Sequence, residues 1–394
     1  MTATILISFC LLLLIAYLFD ITSAKTKTPS VILLLLLGWG IKEMTHWLGY
    51  GLIDFSSLLP VLATFGLILI VLEGSLELNL DGSKIGLVKK SILGALIPMV
   101  LLALSLAFAF QYFGNYSFKI GLINAIPLCV ISSAIAIPSV INLRPSLKEF
   151  VVYESSFSDI LGILFFNFIA LNETIGLISI GNFGLHLLII IAVSIIGTIV
   201  LSLLLGRIEH HVKFVPIILL IVLVYALLKL YHLPALLFIL LFGLAIGNLG
   251  LFKGIKWLRN IKTDNLNNEI NKFKELTTEG AFLVRSLFFI LFGYTIKTSE
   301  ITNSNTIVWA IAIVGLVLII RALQLKVSKI DLNPLLYIAP RGLITILLFF
   351  SILPDDRISL VNNSLIIQII LFSAIIMAIG LILKPERLPE AEEK

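Results

Sequence analysis

The chain has 394 residues, of which 59% are hydrophobic and 13% charged, with a mean hydropathy of +1.11. A soluble globular domain is about 45–50% apolar and about 25% charged, so the composition excludes a water-soluble enzyme, a disordered tail and a nucleic-acid binder. The 28 Lys and Arg against 23 Asp and Glu give a net charge of +5, an excess that in a membrane chain bears on orientation rather than on an acidic partner.

A helix needs about 20 mostly apolar residues to cross the hydrocarbon core of a bilayer. Thirteen segments qualify: 3–18, 29–44, 58–76, 91–113, 120–143, 150–171, 185–205, 214–230, 233–249, 276–296, 307–325, 332–353 and 364–383. The second is the weakest, because Lys42 and Glu43 interrupt it. The first has no basic stretch before it and no small-residue cleavage site after it, and reads as a retained helix rather than a signal sequence. The two cysteines, Cys10 and Cys129, lie in apolar runs with no disulfide or metal-ligand spacing, and are expected to be buried thiols.

The connecting loops support this count. With each Lys and Arg assigned to its nearest span end, odd-numbered loops and the C-terminal tail carry 21, even-numbered loops carry 5, and Arg285 and Arg341 lie within spans. Cytoplasmic loops are the basic ones, which predicts an outside N-terminus and a cytoplasmic C-terminus. The longest loop, 250–275, is basic and Asn-rich and reads as a cytoplasmic connector.

Two spans are expected to be discontinuous. The fifth carries Pro127, Ser132, Ser133 and Pro138; the twelfth carries Pro340, Arg341 and Gly342. Proline removes a backbone donor and clashes with the preceding turn. Non-helical backbone at membrane depth persists only where it is buried in protein or lines a wet cavity. Spans four to six and eleven to thirteen have opposite topology, so the breaks occupy corresponding places in inverted halves, the pattern of a secondary transporter with a midplane site.

Ionisable groups inside a membrane are costly and mark pathways or relays. At 1.5 Å per residue, Asp159 lies about 14 Å into the sixth span, near the bilayer centre. Ser155 and Asp159 are four residues apart and share a helix face, with Glu154 and Ser158 on the adjacent stripe. Hard oxygens of this kind suit a small cation. A carboxylate stripped of water favours its protonated form, a bound cation its ionised form, so H+ and cation would compete for one negative charge. Arg321 ends near the level of Glu154; it either pairs with Glu154, neutralising both and leaving Asp159 free, or snorkels to the cytoplasmic interface. Arg285 and Arg341 both reach the depth of Asp159, and either is a candidate for a pathway or charge-tuning role. Glu73 is a candidate for the mouth of the pathway; Glu77 reads as a solvated helix end. His46, His186, His210, His211 and His232 all fall near span ends, where interfacial solvation explains them. No phosphate-binding glycine loop, zinc spacing or nucleophile elbow appears, and no cofactor is expected.

Five stretches, Glu73–Leu78, Ser132–Pro138, Glu154–Gly162, Arg285–Gly293 and Pro340–Gly342, together resemble the cation–proton antiporter superfamily in its sodium/proton exchanger branch. The resemblance implies an all-α polytopic membrane protein in which the two broken helices cross beside the carboxylate of the sixth span. It implies scaffold and dimerisation helices over 1–80 and 173–297, a mobile ion-carrying core over 81–172 and 298–383, and a short cytoplasmic tail over 384–394. It would make the chain a homodimer in the plasma (inner) membrane with Na+, K+ or Li+ and H+ as substrates and no nucleic-acid partner. Asp159 would carry the ion and proton, Ser155 and the unwound backbone near Ser132 and Ser133 would help coordinate the cation, and Glu154 would pair with Arg321. The chain departs from the family pattern in reading Ser158-Asp159 where the electroneutral branch has Asn-Asp, and Ser132-Ser133 where the break usually carries Thr-Asp or Thr-Ser. With Asp159 alone exchangeable, one proton should replace one cation. A sodium-coupled symporter of an organic anion would need more polar side chains than the spans hold, and a channel would need a continuous polar pore.

Overall fold

The computed structural model describes residues 2–26, 28–49, 54–55, 57–78, 84–140, 143–172, 176–207, 213–231, 233–249 and 263–383. His210, His211, His232, residues 250–262 of the connector and the tail 384–394 lie outside these. Among the described residues there is helix and no strand, and nine helices are long and apolar enough to cross a membrane.

Helical segments fall on all thirteen expected spans. They are α1 (Thr2–Thr26), α2 (Ser30–Trp47), α3 (Leu59–Glu77), α4 (Ile85–Gly114), the broken pair α5 (Phe118–Cys129) and α6 (Ser133–Ser139), α7 (Pro145–Leu171), α8 (Leu177–Arg207), α9 (Phe214–Leu230), α10 (Ala235–Gly247), α11 (Thr263–Thr295), the short α12 (Thr298–Ile301), α13 (Ser304–Val327), α14 (Leu343–Ser351) and α15 (Asn363–Leu383). A 3-10 turn at Leu335–Tyr337 precedes α14, so the twelfth span is a broken element like the fifth.

Local chemistry sets the ends. The Ser117 side chain accepts from Ile120 N at 3.3 Å and starts α5, as Asn303 accepts from Asn305 N at 3.1 Å to start α13. Asn115 and Lys329 adopt left-handed φ of 55° and 53° just beyond α4 and α13. At the second, Ile330 N reaches back to Leu325 O at 3.0 Å, closing the helix in the Schellman manner.

The chain divides into two compact units. The first comprises Met1–Thr64, Leu87–Gly162 and Leu283–Lys394. In it α13 packs on α15, α1 on α2, and α5 on α14. Lys42 and Glu43, the charges that interrupt the second span, find partners: Lys42 Nζ donates to Ile296 O at 2.7 Å, and Thr298 Oγ1 donates to Glu43 at 2.7 Å. The second unit comprises Phe65–Gly86 and Ile163–Phe282. There α10 packs on α8 and α9, Phe238 and Phe242 fill the core, and Asn248 Nδ2 donates to Leu78 O at 2.7 Å.

Cysteine burial differs from expectation at one position. Cys129 is buried, whereas Cys10 is exposed on α1, whose outer face also shows Leu6, Phe9, Leu14 and Tyr17. An apolar helix against hydrocarbon gains nothing by hiding this face within the protein, so an apolar run does not imply burial.

Candidate ion-binding site at the helix crossing

All parts of the site belong to the first unit. Helix α5 ends at Cys129, residues Val130–Ser132 are extended, and α6 starts at Ser133. In the second broken span the chain leaves its 3-10 turn at Tyr337, and α14 starts after Gly342. The two breaks touch: Ser132 N donates to Pro340 O at 2.9 Å. Gly342 makes this approach feasible, because a Cβ there would stand 2.6 Å from Ser132 Oγ and 2.8 Å from Ile135 Cδ1.

Helix α7 runs beside the first break. A Cβ on Gly162 would run into Val130 Cγ2, so this glycine lets the helix lie against the unwound backbone. Ser158 Oγ accepts from Ile131 N at 2.9 Å, which gives one of the freed N–H groups a partner. One turn earlier, Ser155 Oγ donates to Val151 O at 2.7 Å, keeping its lone pairs.

Asp159 is 4% exposed. Its Oδ2 accepts from Ser133 N at 3.3 Å and from Ser133 Oγ. The carboxylate therefore sits on the first turn of α6, where unpaired N–H groups and the helix dipole favour negative charge. Its Oδ1 is buried and has no hydrogen-bond partner among the described residues, and the same holds for Ser132 Oγ.

Arginines complete the arrangement. Glu154 and Arg321, both fully buried, form a bidentate pair with Nη1–Oε1 at 3.0 Å and Nη2–Oε2 at 2.8 Å; Arg321 Nε donates to Leu335 O at 2.6 Å. Arg341 is also buried. It donates through Nε to Leu128 O at 2.7 Å and through Nη1 to Ala339 O at 2.8 Å, while its backbone N donates to Ser373 Oγ at 3.0 Å. Its cation thus meets the carbonyl end of α5, the place where the dipole favours positive charge.

The structure therefore brings Asp159, Ser132, Ser133, Ser158 and Arg341 to the crossing, joins Glu154 of α7 to Arg321 of α13, and leaves Ser155 bonded within α7 one turn before Asp159. Arg285 is half-buried on α11, and Glu73 is half-buried on α3, in the second unit. Sequence reasoning missed the Gly162–Val130 contact and the role of Ser373. Both residue types are common in membrane helices and carry no signal until the partner is known.

A model of the family described as "Sodium/hydrogen exchanger, transmembrane" matches residues 10–385. Comparison with curated proteins gives no match. Two solved structures of the sodium proton antiporter MjNhaP1 from Methanocaldococcus jannaschii are similar in fold at 20% identity. The one described at pH 8 has a TM-score of 0.71 and covers 96% of this chain and 100% of its own; the other, an electron-microscopy map, has a TM-score of 0.72 and covers 99% and 100%. The family match spans nearly the whole chain and includes every residue at the crossing, and on that basis the chain belongs to the sodium/hydrogen exchanger family.

Proposed function

We propose that the protein is a secondary active antiporter that exchanges a monovalent cation, Na+ ahead of K+ or Li+, for protons, with both ions competing for Asp159. One observation carries this reading. Asp159 is a buried carboxylate in an apolar chain, held through Oδ2 on Ser133 while Oδ1 has no partner among the described residues. A proton or a small cation on that oxygen meets the same need, and each excludes the other.

Glu154 is already neutralised by Arg321. Asp159 is then the one exchangeable charge, which gives one proton per cation and an electroneutral cycle. Ser132, Ser133, Ser155 and Ser158 surround or brace the carboxylate and serve the cation, Ser158 by holding the unwound backbone rather than by direct coordination. Arg341 balances the site charge; Arg285 and Glu73 remain pathway residues in this reading. Alternating access follows from displacement of the core, 81–172 with 298–383, against the remaining helices in a homodimer. The bias of basic residues toward odd-numbered loops supports an orientation with the N-terminus outside, and the short loops suit a plasma-membrane protein.

The test is dequenching of a pH-sensitive dye in proteoliposomes on addition of Na+, K+ or Li+. Wild-type protein is expected to dequench with Na+ and Asp159→Asn to be silent. Full exchange by Asp159→Asn would overturn the assignment.

A further inference from the structure

Buried hydroxyls in helices ordinarily spend their proton on the carbonyl four residues back. Ser156, Ser194, Thr198 and Ser286 are buried without a partner among the described residues, while Ser155 and Thr277 do bond in this way, toward Val151 O and Phe273 O. Thr345 does not. It is fully buried in the first turn of α14, and its Oγ1 has no hydrogen-bond partner among the described residues. The reason is local. Four residues back is Arg341, which lies before the helix begins, so the kind of acceptor that Ser155 and Thr277 use is not part of the helix for Thr345. The break in the twelfth span thus leaves this hydroxyl without that acceptor.

Thr345 stands one helical turn, about 5 Å of rise, beyond Gly342. Gly342 is the residue pressed against Ser132 Oγ. Three buried oxygens without partners among the described residues, Asp159 Oδ1, Ser132 Oγ and Thr345 Oγ1, therefore come from three elements tied to one crossing: α7 through Ser133, the first break through Pro340, and α14 through Gly342. Other buried hydroxyls also lack partners, so the missing bond alone assigns no role; what sets Thr345 apart is its place one turn from the crossing. One carboxylate with neutral hydroxyl oxygens is a hard-donor set of the kind small cations take.

We propose that the Thr345 hydroxyl is a further ligand of the transported cation, contributed by the second half-helix, and that it sets the order of preference among Na+, Li+ and K+. This rests on the antiport reading with Asp159 as carrier and adds a residue from α14. Among neutral ligands, position rather than charge distinguishes cations of one charge and different radius, so removing this oxygen should alter preference more than turnover.

The experiment compares wild type, Thr345→Val and Thr345→Ser in proteoliposomes, measuring proton flux against concentration of Na+, Li+ and K+. Valine keeps the shape and removes the oxygen. It is expected to raise half-saturating Na+ by about fivefold to tenfold, the size of one lost polar contact, and to change the Li+ to Na+ ratio, with maximal rate within about twofold. Serine keeps the oxygen and should retain both values. An unchanged cation ratio in Thr345→Val, or equal shifts in valine and serine, would overturn the proposal. If valine prevents folding, Thr345→Ala replaces it, and the rise in unfolding temperature of purified protein with added Na+ gives a second readout: it should shrink in alanine and persist in serine. Asp159→Asn, run alongside, separates the two ideas. Exchange lost there with Thr345→Val unchanged sinks this inference alone, and exchange retained there sinks the antiport assignment first.

Discussion

Glu154 on α7 and Arg321 on α13 meet through both carboxylate oxygens and both terminal guanidinium nitrogens, in an environment that leaves them 1% and 2% exposed. Such a pair is costly to break and often cheap to replace as a unit, because breaking it strands one charge out of water. Glu154→Gln or Arg321→Met alone should lower stability by about 3–5 kcal/mol. Glu154→Gln combined with Arg321→Met should recover most of that loss and retain exchange. Thermal unfolding of the four proteins in detergent, closed as a double-mutant cycle, checks this. A double variant as unstable as the sum of the singles would refute the pairing as the stabilising unit.

Competition for Asp159 makes a prediction about pH. Where the site is mostly protonated, each unit of acidification should raise half-saturating Na+ by about tenfold while leaving the maximal binding signal unchanged. The sign follows from the scheme: protonation removes the charge the cation needs, so lower pH weakens binding. Na+ titration of purified protein across a pH series, read by thermal stabilisation, gives the slope. A half-saturation that does not move with pH would separate proton and cation sites.

Ser158 stands next to Asp159 in the chain, and its hydroxyl accepts from Ile131 N. Ser158→Ala should strand that buried N–H at a cost of about 1–3 kcal/mol. Ser158→Asn, whose side-chain carbonyl can accept in its place, should recover stability. Chemical denaturation of both variants tests this, and an alanine variant as stable as wild type would show that the break is held by its other contacts.

Gly162→Ala should be harmful although alanine favours helix, since its Cβ would intrude on Val130. Overpacking of this kind costs about 1–3 kcal/mol. Val130→Ala in the same chain should relieve it. Unfolding temperature and exchange rate of the single and double variants decide; failure of the second change to help would place the strain elsewhere.

Much of the architecture was legible from length and hydropathy alone, because a chain that must satisfy its backbone in hydrocarbon has little choice but helices of about bilayer length. The broken spans were legible through proline and glycine, and in the twelfth Pro340 and Gly342 do lie in the unwound stretch, yet in the fifth the residues that unwind are not those that usually break helices. Pro127 lies inside α5 and Pro138 inside α6, while the extended stretch is Val130–Ser132. What holds it open is tertiary: Ser158 on Ile131 N, Pro340 O on Ser132 N, and Gly162 against Val130. Depth along the spans could not separate Arg285 from Arg341, because depth says nothing of helix face. The structure buries Arg341 between carbonyls of the two breaks. Thr345 carried no signal for a similar reason: a hydroxyl in a membrane helix usually bonds its own backbone, and only the missing turn before it withdraws that option.

The seam between the breaks is made by main-chain atoms, Ser132 N and Pro340 O. Side-chain replacement at either position leaves it intact, with one exception: proline at 132 would suit the local φ of −79° and delete only the donor. Alanine scanning is therefore blind to this joint. Side chains nearby can drift over generations, while the joint on which the crossing depends is inherited with the backbone itself.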